Sequence, residues 1–425
     1  MEEPNIEREL EADEQSLLDE DGAEHRRFEI VRDVRKRLDR YLQDRLKGIS
    51  RSKIQQLIDM GGVRVNDRQP KASTTIRAGD IIDVVLPAPA IRTIEPEPIP
   101  LDILYEDEHF IVVNKQADLI VHPARSNLSG TLINALAYHF KQQMEARGIT
   151  WSDWNTRGFK PPAGKPRSDA TPEGAVAGLS GVGAEEYRPG IVHRLDRFTT
   201  GVIVVAKSDV AHWQIARQFE QRKTTKAYLA VVHGTPDPPD AVGGVIDQPI
   251  GKHPTIREAM AIRHDSMGKP SVTLWRVRER YQGYTLVELE LRTGRTHQIR
   301  VHLSHMGCPI VGDILYGGEA VGLREIENPP VAAGSRRYMN FARDKAEGQR
   351  LEALAAERAD MIMRYPALHA ALLGFTHPIT FQSMRFTAPL HEPMLTLVRK
   401  LREHPAPGPV ATEGTFVDLK QAIPD

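Results

Sequence analysis

The segment "HRLDRFTTG", residues 193–201, sets one carboxylate, Asp196, among two arginines, a histidine and two threonines, between the apolar runs "GIV" and "VIVVA". Three chemistries fit such a turn. Arg194 or Arg197 could pair with Asp196 in a salt-bridged corner capped by Thr199 or Thr200. Asp196 and His193 could ligate a metal with His297, His302 or His305. Alternatively, the carboxylate is a nucleophile, since a guanidinium beside it keeps it ionised at neutral pH, and an ionised aspartate can attack the anomeric carbon of a sugar. The metal reading has little support: there is no HExxH, no cysteine pair and no carboxylate-rich cluster. A glycosidase would add a second carboxylate as acid, whereas here the surroundings are basic and aromatic. Cleaving and remaking a bond to a base on RNA calls for that company, cations for phosphates and an aromatic ring for the base.

The elements that must position this turn follow from the pattern around it. "VIVVA" (202–206) reads as a strand leading to a helix capped by Ser208, with Ala211, Ile215, Ala216 and Phe219 on one face. "DILY", "FIVVNK", "LIVHP" and "KAYLAVVHG" read as further strands, and a helix falls near 131–146. "YTLVELELR" (284–292) alternates Val287, Leu289 and Leu291 with glutamates. "TGRTHQIRVHLSHMG" reads as a loop entering a helix that Gly307 ends. Strands flanked by helices without regular βαβ alternation imply an α+β domain with a mixed or antiparallel sheet and flanking helices.

The amino-terminal part has a different character. Residues 1–24 hold eleven acids against the single base Arg8, and residues 26–79 hold fifteen Lys/Arg against six Asp/Glu. The first stretch reads as a solvated, disordered tail, and the second as a patch that attracts phosphate backbones. Val34, Leu38, Tyr41, Leu42 and Leu46 form one helical stripe with cations opposite, and a second helix buries Ile54, Leu57 and Ile58. Val63 and Val65 then run into a turn at Asn66-Asp67. Arg51 and Lys53 sit in the first turn of that second helix, where the macrodipole disfavours cations unless an anion binds there. With Arg37 and Arg40 they are the expected RNA-binding residues.

The chain of 425 residues exceeds one ordinary core. The expected organisation is an acidic tail (1–25), a small RNA-binding domain (26–86), a proline-rich linker (87–100), a catalytic domain (101–405) and a tail (406–425). A Gly/Pro/Ser-rich insertion at about 148–188 carries Trp151, Trp154, Lys160, Lys165 and Arg167, which could contact RNA. No apolar run approaches a membrane span, and the acidic start is unlike a signal or transit peptide. The single cysteine, Cys308, excludes an internal disulfide and fits a reducing cytoplasm, with "MGCPIVGD" reading as a buried small residue. A monomer is expected.

Two resemblances sharpen this reading. "SRSKIQQLI" with "GGVRVN" resembles the small RNA-binding module first seen in a small-subunit ribosomal protein, over about 34–85. Residues 34–400 resemble the RluA/RluD family of RNA pseudouridine synthases, closest to the type D enzymes of large-subunit ribosomal RNA. "DEHFIVVNKQADLIVHPA", "RPGIVHRLDRFTTGVIVVAK", "KAYLAVVHG" and "LRTGRTHQIRVHLSHMGCPIVGD" carry it. The resemblance implies an isomerase without metal or cofactor that breaks the N1–C1′ bond of a uridine and rejoins the base through C5. Asp196 matches the catalytic aspartate, by attack on C1′ or by removal of a sugar proton. Tyr228 matches the aromatic against the flipped base and a candidate base at C5. Arg295 is the expected cation beside Asp196, with Arg300 as competitor, and Arg194 is expected to fill the space the base vacates. Ile310 and Val311 are expected to pack near the pocket. The family's usual "NKPAG" is "NKQAD" here, with Gln116 and Asp118, and its Thr-Ser-Gly is Thr199-Thr200-Gly201. An RNA-binding assembly factor with an idle site and a uracil-releasing hydrolase are the rival functions.

Overall fold

A computed structural model describes residues 12–18, 24–46, 51–59, 61–86, 94–122, 129–148, 176, 178–182, 188–256, 258–329, 358–404, 408–410 and 412–424. The chain divides into two compact units, Met1–Arg92 and Thr93–Asp425.

The first unit contains β1 (Ala12–Leu18), β2 (Glu24–Ile30), α1 (Leu38–Arg45), α2 (Arg51–Asp59), β3 (Val63–Val65) and β4 (Ile81–Leu86). Its antiparallel sheet has the order β1-β2-β4-β3. Of the apolar residues read from the sequence, Leu38, Tyr41, Leu42 and Leu46 with Ile54 and Ile58 form its core, against Phe28, Ile82 and Val84, while Val34, which precedes α1, and Leu57 are only partly buried against it. Asn66 and Asp67 adopt φ of 51° and 61°, and Val65 and Arg68 exchange backbone hydrogen bonds of 2.9 and 3.0 Å around them. This is the two-residue turn in which aspartate takes a conformation usually left to glycine. The acidic stretch expected to be a disordered tail differs from that expectation. Residues 12–18 pair with β2 from Ala12↔Ile30 to Leu18↔Glu24, because a backbone ladder satisfies its amides whatever the side-chain charge.

The second unit begins with β5 (Asp102–Glu106), β6 (Phe110–Lys115), α3 (Leu132–Glu145), β7 (Thr200–Ala206), α4 (Asp209–Glu220) and β8 (Thr225–His233). It continues through β9 (Gly243–Asp247), β10 (Ile250–Lys252), β11 (Met260–Ile262), β12 (Val272–Tyr281), β13 (Tyr284–Leu291) and α5 (Gln298–His305). β14 (Val321–Gly322), α6 (Leu323–Glu327), β15 (Met361–Met363), β16 (Leu368–Thr376) and β17 (Ser383–Thr387) follow. α7 (Met394–Arg402), β18 (Gly408–Pro409) and α8 (Leu419–Ala422) complete it. The main sheet runs β18-β12-β13-β8-β16-β7-β6-β5, with β17 on β16 and β9 on β12. It is mixed because β16 lies parallel to β7 while its other pairings are antiparallel. The uninterrupted apolar runs of β6 and β7 follow from burial on both faces. Ile111, Val113, Ile203 and Val205 pack with Leu132, Leu136 and Phe140 of α3. Phe110, Val112, Val202 and Val204 pack with Ala211 and Ile215 of α4.

Two further expectations change here, those for the carboxy-terminal tail and the linker. The glutamates that alternate along β13 are covered: Glu288 is fully buried and paired with Arg278, and Glu290 is paired with Arg276. Residues 412–423, expected as a tail, cover that face. Val417, Ala422 and Ile423 join the core, and the Phe416 N–H donates to Glu288 at 2.6 Å. Likewise the linker's Ile94 is buried in the second unit, and the Glu97 N–H donates to the Asn134 carbonyl at 3.1 Å. Trp151, Trp154, Lys160, Lys165 and Arg167 lie outside the described residues, as does the Lys53 side chain.

Candidate active site

The turn before β7 is held at several points. Gly201 has φ 107°, and a Cβ there would stand 2.2 Å from the Ala370 carbonyl oxygen. Only glycine lets β7 lie so close to β16. Thr199 N–H closes the turn on the Asp196 carbonyl at 3.2 Å, and the Thr200 hydroxyl lies 2.8 Å from His369 Nδ1. His193 is a latch rather than an acid: its Nε2 accepts the Val204 N–H at 3.0 Å, and its ring stacks on Phe219 at 4.5 Å. Burial, helped by Lys226, pushes its pKa down to about 3, so the ring is neutral.

Lys115, at the end of β6, holds the same turn from behind. It is fully buried, and its ammonium donates to the carbonyls of Gln116 and Leu119 at 2.9 Å and of Arg197 at 3.1 Å. Burial lowers its pKa to about 7 against the opposing charges of Asp196 and Asp118. Asp118, where the family usually has glycine, takes φ 59° and pairs with Arg197 at 2.5 Å. The departure from "NKPAG" is therefore absorbed by an aspartate in the glycine conformation.

Asp196 opens onto a cavity of about 840 Å³ that Arg194, Tyr228, Arg295 and Arg300 also line. Four of the sequence-derived candidates thus meet Asp196 in one place. Tyr228 projects from β8 where the two cores adjoin, packing against both. Burial and the charge of Asp196 raise its phenol above the ordinary tyrosine range, so it is protonated. Arg222, Lys223, Lys226 and Arg292 add cationic wall, and Phe219 and Phe416 add aromatic wall.

The cation beside Asp196 is Arg300 and not Arg295. Arg300 Nη1 lies 3.7 Å from Asp196 Oδ2, while its Nε and Nη2 grip both oxygens of buried Asp313 at 2.7 Å. Burial opposes its charge, but Asp313 and Asp196 outweigh that and hold its pKa above the ordinary value. Arg295 lines the same cavity, with its Nε 3.5 Å from the Pro270 carbonyl. The reason is helical: Arg300 lies in α5, whose entry is pinned by Gln298, which accepts the Thr293 hydroxyl at 2.8 Å and the Arg295 N–H at 3.0 Å. Ile310 and Val311 do not line the cavity. Both are fully buried, with Val311 N–H donating to the Val231 carbonyl at 2.9 Å, and they anchor the strand-like segment that ends at Asp313. Cys308 is buried, and burial first, then Asp237, pushes its thiol up to about 12.

Sequence reasoning missed Lys115, Asp313 and Phe416 at this site, and placed His297 beside Asp196 only as a possible metal ligand. A charge ending an all-apolar strand was a signal for Lys115; nothing local marked Phe416, more than 200 residues from Asp196.

In the first unit, Arg37 and Arg51 converge on buried Asp39, at 3.1 and 2.8 Å. These pairs hold the Asp39 carboxyl well below the usual range, with Arg37 as the largest cause and burial opposing. Two of the four expected RNA contacts are thereby partly engaged within the fold, while Arg40 is exposed.

Comparison with known proteins adds to this geometry. Residues 109–305 match the RNA pseudouridylate synthase family, and residues 36–82 match the S4 domain. Over 369 residues the chain is 35% identical to the ribosomal large subunit pseudouridine synthase D of Pasteurella multocida, covering 86% of this chain and 91% of that one. The chain belongs to the RNA pseudouridine synthase family. An uncharacterised RNA pseudouridine synthase of Bacillus subtilis, YlyB, is 36% identical over 87% of this synthase and 95% of its own length. The chloroplastic RNA pseudouridine synthase 2 of Arabidopsis thaliana is 34% identical over 88% of this chain and 83% of its own. Among the described residues of this synthase, no helix is long and apolar enough to cross a membrane.

Proposed function

We propose that this synthase isomerises uridines of large-subunit ribosomal RNA and that Asp196 opens and recloses the bond to the sugar. The observation that carries the reading is the Asp196 carboxylate set beside Arg300 and facing the same basic cavity as Tyr228. The names of the bacterial relatives support the choice of RNA. In the reaction the Asp196 carboxylate bonds to C1′ as the N1–C1′ bond breaks with its electron pair leaving on N1. The base turns in the cavity, C5 bonds to C1′ as the Asp196–C1′ bond breaks and returns the carboxylate, the C5 proton is lost and N1 takes up a proton. The balance is that of an isomer.

The target base must leave its stack, at a cost of a few kcal/mol. Arg194, exposed at the cavity edge, fills the vacated space, and the Tyr228 ring faces the base. The Tyr228 phenol enters protonated. Burial and the Asp196 charge both keep it so, and a proton leaving C5 needs an acceptor other than the phenol as it enters. The S4 unit supplies sequence-independent phosphate contacts through exposed cations such as Arg40.

The test is tritium release from large-subunit ribosomal RNA labelled at C5 of uridine, with wild type and Asp196→Asn. Release by wild type alone supports the reading. Equal release by both proteins removes Asp196 from the chemistry, and label recovered in free uracil identifies a hydrolase instead, because excision leaves the C5–H bond intact.

A further inference from the structure

We propose that His297 is a positioning residue for this reaction: its Nε2–H, oriented by a relay through Tyr316, holds one oxygen of Asp196 and leaves the other to the sugar. The inference rests on the role given to Asp196 above. His297 stands immediately before α5 with φ 55° and ψ 18°, a left-handed conformation that L side chains adopt at a cost. The conformation does not serve helix capping, because the side chain makes no cap hydrogen bond. It turns the imidazole instead between Tyr316 and Asp196.

The proton positions follow from the partners. The Tyr316 hydroxyl accepts the Met260 N–H at 2.9 Å and lies 2.7 Å from His297 Nδ1. The phenol can give its own proton to Nδ1, and the Asp196 carboxylate on the opposite side of the ring favours the tautomer that carries its proton on Nε2. A neutral imidazole that accepts at Nδ1 carries its proton on Nε2. That Nε2 is 3.7 Å from Asp196 Oδ2. Tyr316 is itself immobilised: it is buried, Ser304 Oγ donates to its carbonyl at 2.7 Å, and the Arg300 guanidinium lies 4.8 Å from its ring centre.

The groups facing His297 are Arg300, Asp196, Asp313 and Arg194. Burial, with Arg300 next, keeps the ring neutral by pushing its pKa down to about 4. Arg300 Nη1 reaches the same Oδ2, also at 3.7 Å. A closure of about 0.8 Å brings both donors into hydrogen-bond range. Two donors converging on Oδ2 turn Oδ1 toward the cavity and stop the carboxylate from rotating. Nucleophile orientation of this kind governs turnover more than RNA affinity.

The experiment uses the full-length protein. Long-range 1H–15N spectra of labelled histidine read which nitrogen of His297 carries the proton, with Tyr316→Phe as the perturbation and His297→Ala as the assignment control. Single-turnover rates and RNA affinities are measured for His297→Ala and His297→Gln beside Asp196→Asn. The expected result is a proton on Nε2 with no titration down to about pH 5, and Tyr316→Phe populating the other tautomer. His297→Ala is expected to slow the single-turnover step about 10- to 100-fold with affinity within about two-fold, and His297→Gln, which keeps an N–H donor, to recover most of the rate. A proton on Nδ1 in the wild type, or an unchanged rate in His297→Ala, overturns the proposal. An active Asp196→Asn sinks the underlying role of Asp196 instead.

Discussion

Arg300 and Arg295 line one cavity, yet the structure gives them different work, and replacing each by methionine separates the two. Unit charges 3.7 Å apart, the separation of Arg300 Nη1 from Asp196 Oδ2, interact by about 4 kcal/mol at an effective dielectric of about 20. Asp196 retains 28% side-chain exposure, so screening leaves about 2–4 kcal/mol. If that interaction is needed to reach the transition state, Arg300→Met slows single turnover by about 30- to 1000-fold. The same change strands Asp313, which costs about 3–5 kcal/mol of stability and lowers Tm by about 6–10 °C. The double variant Arg300→Met, Asp313→Leu replaces the buried pair by apolar groups and is expected to recover Tm without recovering the rate. Arg295→Met is expected to raise the RNA concentration needed for half-maximal rate, with the single-turnover step slowed less than about five-fold. The assays are tritium release under saturating enzyme, filter binding and thermal melting. A loss of rate in Arg295→Met equal to that in Arg300→Met refutes the assignment. So does a double variant whose rate returns with its Tm.

Three other outcomes follow from the fold. Gly201→Ala combines a positive φ with a backbone carbonyl 2.2 Å from the new Cβ, and the denaturation midpoint should show a loss of about 3 kcal/mol or more. His369 is fully buried, and its pKa is held down to about 3 by burial. It stays neutral in the fold but takes a proton on unfolding below about pH 6.5, so its contribution is present above that value and declines as pH falls toward 3. Urea midpoints should reveal about 2 kcal/mol lost between pH 7 and pH 5 through this ring, and His369→Gln should remove that part of the slope. In the S4 unit, Arg51→Gln should lower stability with little change in the salt dependence of RNA binding, because Arg51 pairs with buried Asp39. Arg40→Gln should leave stability alone and reduce the log-log salt slope by about 0.7–0.9. The opposite assignment would show that Arg51 is the phosphate contact.

Much of this protein is legible in one dimension because the relevant forces act over short stretches. The stripe Leu38, Tyr41, Leu42, Leu46 becomes the core face of α1 because helical period alone sets which side chains share a side. The turn at Asn66-Asp67 is decided by which residues tolerate positive φ. "HRLDRFTTG" is legible for the same reason, since its carboxylate, its arginines and its glycine lie within nine residues. The sequence alone therefore determined that a carboxylate is displayed on a rigid turn, and that a basic module precedes it.

What only the tertiary structure decided is which distant groups meet that carboxylate. Arg295 and Arg300 are equivalent in composition and neighbours in the chain, and the choice falls to Asp313, whose grip on Arg300 depends on α5 packing beside the segment after Ile310. The carboxylates of β13 look solvent-facing by alternation, yet the carboxy-terminal segment crosses over them, buries Glu288 and brings Phe416 to the cavity. Lys115 reaches the carbonyl of Arg197 only because β6 pairs with β7. Periodicity reports which face of an element is covered, but a charged side chain takes its partner from whatever the packing of remote elements sets within a few ångströms. That proximity has no local signature in the chain.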